Sequence, residues 1–521
     1  MQKIISIQTF LLILGFYSNS LTVNAQSNAV REINRIEQSS LALEPLRFLA
    51  SDELKGRATA RPEIHIAARY ISEDFRSLQL KECPGTEDYF QKFEIKMITP
   101  PQKGSLQIGE HSFQLGESLI QLNGGNVSLN APVVFVSYGS KDDFEKADVK
   151  GKIVITLAGN NDSSKFRQAF SKTRAKRMLA EENGAVALVE LSSGSDVPWN
   201  ALQHYTTQEH VARQNESDTL PVFWLKDSDH SLEQLVKNQA STAKLTVTGT
   251  LQKSIPAENV MGYVEGSDPE LKNQYIVLSA HYDHLGVAKT PVEEDGKMDS
   301  IYNGARDNAV GVTAVMDAAR YFAQHPPKRS VMFIAYTGEE IGEIGSKYFA
   351  AHPVIPLRQI VYNMNIDNGD YNDTSIITVV GLGRTSADHD IQKGCKAFGL
   401  KAIADPAPEQ DLFDRSDNVN LAEKGVPAPT FSLGFTKFDA ETMKHYHHVS
   451  DEVGNMNLSY VMKYIKSYIL AAKNIADDST QPTWVKGDKY EKAGENLYHS
   501  ITKEVQKKPV LKLQHKVAGG Q

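Results

Sequence analysis

Apolar residues recur at helical spacing from Val30 to Leu49 and again from Glu63 to Leu78, predicting two helices near the start of the chain. From about Ser118 to Gly249 the rhythm changes to short β-rich runs. These are Pro132 to Val136, Ile153 to Ile155, Ala185 to Val189 and Leu220 to Trp224, separated by polar and glycine-rich turns. One helical stretch, Arg167 to Glu182, interrupts them. Beyond Tyr275 strand and helix signals alternate. Tyr275–Leu278 precedes a helix at Asn308–Gln324, then come a strand at Val331–Ala335 and a helix at Ile344–Ala351. Strands at Ile360–Ile366 and Ser375–Val380, a helix at Ala387–Phe398, a strand at Ala428–Leu433 and a helix at Ser459–Asp477 complete the series. Alternation of this kind predicts a doubly wound, mainly parallel α/β sheet covered on both faces. The β-rich stretch reads as an insertion, because a different rhythm resumes after it. The expected division is a leader over 1–25, a first part of the main domain over 26–117, an inserted domain over 118–250 and a second part of the main domain over 251–480. A lysine-rich extension over 481–521 carries no assignable role.

The polar residues that end these strands have an unusual composition. Tyr275 to Ala280 runs into His281, Asp283 and His284; Val331 to Ala335 runs toward Glu339 and Glu340; Ile360 to Ile366 runs into Asp367. Asp307 stands just ahead of a helix in Asn303-Gly304-Ala305-Arg306-Asp307-Asn308, and Tyr446-His447-His448-Val449-Ser450-Asp451 follows late in the chain. Each has an ordinary explanation: Asp307 could cap its helix, His281 could be a bonded core histidine, and Glu339 and Glu340 could suit a helix dipole. Together they are harder to dismiss. Open α/β sheets bind ligands at the carboxyl ends of their strands, so Asp283, Asp307, Glu339, Glu340 and Asp367 would converge on one cleft. That cluster would repel itself or stay partly protonated unless cations neutralised it. Imidazole and carboxylate donors together suit zinc best, with manganese or cobalt behind it. Asp283 is placed to accept the second ring proton of His281 and fix its tautomer.

Composition narrows the function classes. The 521 residues suffice for two cores, and 56 basic against 64 acidic residues give a net charge of −8. That balance offers no footprint for nucleic acid or for an anionic membrane. Lys3, the apolar run Ile4 to Tyr17 and the small residues at Val23-Asn24-Ala25 read as a removable secretory signal cut before Gln26. The expected location is therefore secreted or periplasmic. With Gln26 rather than a cysteine directly after the cut and no later long apolar stretch, no membrane anchor is expected. Cys83 and Cys395 could pair in an oxidising compartment or remain inert thiols.

"SAHYDHLG", "NGARDNAVG", "YTGEEIGEIGSKYF", "NIDNGDY" and "YHHVSDE" occur in the order found in the co-catalytic zinc aminopeptidases, typified by secreted bacterial leucyl aminopeptidases. "APVVFVSYG" with "DFEKADVKGKIVI" resembles the opening of the protease-associated (PA) domain that some of these carry. The resemblance spans about Leu46 to Ile475. It implies a zinc-exopeptidase, phosphorylase/hydrolase-like fold, peptide substrates and two zinc ions. By motif, Asp307 would bridge the ions, Glu340 and His447 would complete one set, and His281 and Asp367 the other. His447 is preferred to His448 because it stands four residues before Asp451. Glu339 would be the general base and Tyr446 a further hydrogen-bond donor. Arg306 occupies a position where many relatives have an acid, and Asn418 replaces a frequent histidine beside Asp417. The nearest alternatives on such a fold are a zinc carboxypeptidase or dipeptidase and a glutaminyl cyclase. From another class stands a non-catalytic PA-bearing binding protein. Preferred side chain and oligomeric state are not readable from the sequence.

Overall fold

A computed structural model describes residues 27–36, 42–159, 166–193, 197–212, 220–238, 242–294 and 296–499. The expected signal over 1–25 and the residues beyond 499 lie outside these. The chain forms two compact units: residues 1–93 with 256–521, and residues 94–255 between them.

In the first unit a sheet is built from β1 (Leu251–Val264), β2 (Tyr275–His281), β3 (Ser330–Tyr336), β4 (Ile360–Ile366), β5 (Ile376–Val380), β6 (Lys401–Ala404) and β7 (Thr430–Ser432). These strands follow the order β6-β5-β7-β4-β2-β3-β1 within a larger sheet, and Lys81–Glu82 pairs antiparallel with β1. β3, β2, β4 and β7 are mutually parallel, as are β5 and β6. Antiparallel joins at β1/β3 and β5/β7 make the whole a mixed sheet with a parallel centre. Alternation explains why the central strands read as unbroken apolar runs. Val331, Phe333 and Ala335 of β3 enter a core on one face, with Phe75 of α1 (Pro62–Ser77) and Phe322 of α2 (Val310–Gln324). Met332, Ile334 and Tyr336 enter the core on the other face, with Phe349 of α3 (Ile344–Ala351). A strand buried on both sides has no polar face to display. α4 (Asp388–Ala397) and α5 (Leu458–Asp477) join the first core through Ile391, Tyr464 and Tyr468.

Several expectations need correction. The single helix expected over Val30–Leu49 is two: one over 27–36 and another at Glu44–Leu49, which starts with Pro45 in its first turn, where a missing N–H costs nothing. The segment after Thr480, for which the sequence suggested no role, packs onto this unit as far as Tyr498. Trp484 and Tyr490 are buried in the second core, and the Arg384 guanidinium lies 3.9 Å from the Phe413 ring centre while pairing with Asp488 at 2.7 Å. Cys83 and Cys395 are both free and buried, and burial pushes each thiol up to about 12.

The inserted unit has its own sheet, ordered His111–Gln114, Lys103–Ile108, Thr242–Thr248, Val127–Phe135, Ile153–Leu157, Ala187–Ser192, Val222–Lys226, Leu119–Asn123. It starts at Glu94 rather than near 118, because Lys103–Ile108 pairs along Thr242–Thr248. Its core closes around Leu106, Ile155, Val189, Phe223 and Leu245. Beside it Lys176 and Glu190 form a buried ion pair at 2.7 Å, with the Trp224 indole N–H donating to the same carboxylate.

Candidate metal centre

The parallel centre of the sheet aligns the ends of β2, β3 and β4 on one edge: His281 is in register with Tyr336, and Ala280 with Ile366. The chain leaves each strand there, so residues 281–284, 337–340 and 367 rise from a common rim. Asp307, between a β-hairpin and α2, and the loop around His447 close over it.

Asp307 stands between two groups. His281 Nε2 lies 3.2 Å from Asp307 Oδ1 and 3.5 Å from Asp367 Oδ1. On the other side His447 Nε2 lies 3.2 Å from Asp307 Oδ2 and 3.2 Å from Glu340 Oε2. His448, in contrast, is half exposed and turns to Glu294 at 3.0 Å. Ligand atoms of His281, Asp307 and Asp367 lie within 4.8 Å of one another, as do those of His284, Asp307 and Glu340. Asp307 Oδ1 is buried without a hydrogen-bond partner. A compact set of imidazole nitrogens and carboxylate oxygens, one oxygen of it unsatisfied, fits a divalent ion such as zinc.

The electrostatics express the same crowding. Burial pushes the Glu339 carboxyl well above its ordinary range; Asp367, Glu340 and Asp417 add to this and His281 opposes it. Burial also disfavours charge on Asp307 and His447, yet their mutual contacts win. Asp307 is held well below the usual carboxylate range, and His447 is raised to about 10 by Asp307 and Glu340. Protons and metal would compete for the same atoms. Asp417, in the same buried surroundings, is pushed up to about 7 by burial.

Asp283 does not do what the spacing predicts. Its carboxylate is 3.8 Å from His281 Nδ1, while its main-chain carbonyl is at 3.2 Å. The carboxylate instead accepts the Thr59 hydroxyl at 2.9 Å and the Glu339 main-chain N–H at 3.1 Å, so Asp283 anchors the backbone of Glu339. Tyr446 stacks on the His447 ring, with centroids 4.0 Å apart, and lines a pocket with Asp367, Leu412, Phe435, Phe438 and Met443.

Three supporting residues had no legible role in the sequence. Asp451 accepts the main-chain N–H groups of Arg306 and Asp307 at 3.0 and 3.1 Å. Arg306 pairs with Asp451 at 3.0 Å and Asp370 at 3.1 Å, so the odd cation beside Asp307 is neutralised by two buried acids. Arg57 is 1% exposed and donates to the carbonyls of Leu49, Tyr282, Asn303 and Gly304, which ties the loop after β2 to the loop before Asp307. Burial lowers its guanidinium to about 10, against the pull of Asp283 and Asp307. Only the family pattern hinted at Asp451, and nothing singled out Arg57 within a polar segment.

An α/β sheet with clustered imidazoles and carboxylates at its strand ends defines a metalloprotein of the open-sheet class. Residues 259–471 match Peptidase family M28. It is 26% identical over 337 residues to Aminopeptidase YwaD of Bacillus subtilis, covering 63% of each chain. It is 24% identical over 161 residues to a vacuolar membrane protease of Schizosaccharomyces japonicus, covering 30% of this chain and 17% of that one. The chain thus spans less than two thirds of the length of these relatives. In structure it resembles the aminopeptidase from Aneurinibacillus sp. strain AM-1, with a TM-score of 0.56, 20% identity, and coverage of 87% of this chain and 97% of the other. Among the described residues no helix is long and apolar enough to cross a membrane.

Proposed function

We propose that this chain is a zinc aminopeptidase that uses two ions, one held by His281, Asp307 and Asp367 and the other by Asp307, Glu340 and His447. The single observation that carries this reading is the placement of Asp307, with an imidazole 3.2 Å from each of its oxygens. Zinc bound there supplies Lewis acidity to a scissile amide and brings the pKa of a water toward neutrality. Glu339 acts as general base: a carboxyl raised by burial can take a proton from water near neutral pH and return it to the departing amine. Asp283 fixes where that carboxyl stands by holding the Glu339 main chain. The Tyr446 hydroxyl, beside the His447 ring, is available to the developing oxyanion. Excess carboxylate around the rim attracts the ammonium of a free N-terminus, and the apolar walls contributed by Leu412, Phe435, Phe438 and Met443 suit an apolar first side chain. Export by the signal over 1–25 and a PA character for residues 94–255 belong to the same proposal.

A second reading has one observation in its favour. Arg415, exposed, lines the same pocket and makes no ion pair among the described residues; its bond to the Gln410 carbonyl is long, at 3.5 Å. A free guanidinium there could receive a substrate carboxylate, as in a carboxypeptidase or dipeptidase. Peptides blocked at one end decide between them. N-acetylation is expected to abolish hydrolysis of a Leu-headed tripeptide while C-terminal amidation leaves the rate within a few-fold. The opposite pattern would establish the second reading and exclude the first.

A further inference from the structure

His284 is the one imidazole of the cluster that the proposed ligand sets leave unused. Its Nδ1 lies 2.6 Å from Glu340 Oε1 and 3.9 Å from Asp307 Oδ2, and its side chain is wholly buried. The other nitrogen, Nε2, is buried without a hydrogen-bond partner. Gly304 packs against the ring: a Cβ there would come within 2.6 Å of His284 Cγ and Cδ2, and its φ of +58° suits glycine in any case. The ring meets His447 edge-on, with centroids 5.7 Å apart at 69°.

Resting on the two-ion reading above, we propose that His284 is a positioning residue for Glu340 rather than a ligand. Nδ1–H donates to Oε1, which leaves Oε2 as the oxygen facing His447 at 3.2 Å. A carboxylate free to rotate would present either oxygen to an ion. With Oε1 engaged in a short charge-assisted bond, one oxygen is committed to the metal side before any ion arrives. The tautomer follows from the same geometry: a proton on Nδ1 leaves Nε2 as a bare acceptor, which costs less to bury unpaired than a second N–H would. The sequence signal is the second histidine of His281-Tyr282-Asp283-His284, three positions beyond the expected ligand.

The competing possibility is that His284 itself binds the ion shared by Asp307 and Glu340. Two substitutions separate them, read as zinc affinity by chelator competition and zinc stoichiometry by elemental analysis on the full chain. His284→Ala is expected to weaken binding at one site by about 10–100-fold. His284→Asn keeps a donor where Nδ1 stood and is expected to recover affinity to within a few-fold of the parent. An Ala variant that binds like the parent overturns the proposal, and so does an Asn variant that loses one ion outright, since that marks a ligand. Should the Ala variant fail to fold, the Asn variant alone decides by the same criterion. A parent protein that takes up no zinc would instead defeat the two-ion reading on which the inference stands.

Discussion

Glu339→Gln is expected to lower kcat by about 10²–10⁴ on a Leu-amide substrate while zinc content stays that of the parent. The amide is nearly isosteric with the carboxylate, so packing is preserved, but it can neither accept nor return a proton at this position. Glu339 is the natural residue for that task because burial and its like-charged neighbours raise its carboxyl while it stands outside both ligand sets. Its neighbour Glu340 is held low by His284 and His447, against burial and the charge of Asp307, and belongs to the ion instead. Metal analysis beside steady-state kinetics reads both quantities. A Gln variant with parental kcat would remove Glu339 from the role of base.

The second large effect is expected far from the reacting atoms. Arg57→Met should destabilise the first unit by at least about 1–3 kcal/mol, the range for leaving a buried acceptor without its donor. Four main-chain carbonyls, those of Leu49, Tyr282, Asn303 and Gly304, would lose their donor in a place water does not reach. Met fills much of the same volume, so the loss is chiefly polar. Tyr282 precedes Asp283, and Gly304 lies three residues before Asp307, so zinc affinity should fall along with stability. Urea denaturation with and without zinc measures both. An unchanged midpoint would mean that the clamp contributes nothing.

The legible parts of this fold are those where burial on both faces leaves a continuous apolar run. β3 and β4 were expected within one residue of where they stand, because no polar face breaks Val331–Ala335 or Ile360–Ile366. β6 was missed because Lys401 and Ala404 are exposed at the edge of the sheet and the strand is only 4 residues long. The hairpin of Gly286–Glu294 with Lys297–Tyr302 was missed although Asp295-Gly296 is a strong turn signal, because its strands are mostly exposed and carry no apolar alternation. At the site, side chains that leave a strand end were readable, since strand and ligand lie together in sequence. The roles of Asp307 and His447, which leave no strand end, were readable only through the family motifs, and those of the supporting residues around them were not. Arg57 works on carbonyls up to 247 positions away, and Asp451 fixes Asp307 through its backbone N–H, contacts that no local pattern encodes. Asp283 shows a related limit: spacing brought it near His281, but its carboxylate is taken by Thr59 and Glu339.

Anomalous diffraction from zinc-loaded crystals tests the central claim most directly. Two peaks are expected roughly 3.5–4 Å apart, one beside His281 and Asp367, the other beside Glu340 and His447, with Asp307 between them. The second peak should vanish in Glu340→Ala. A single peak in the parent, or a pair lying away from Asp307, would contradict the account.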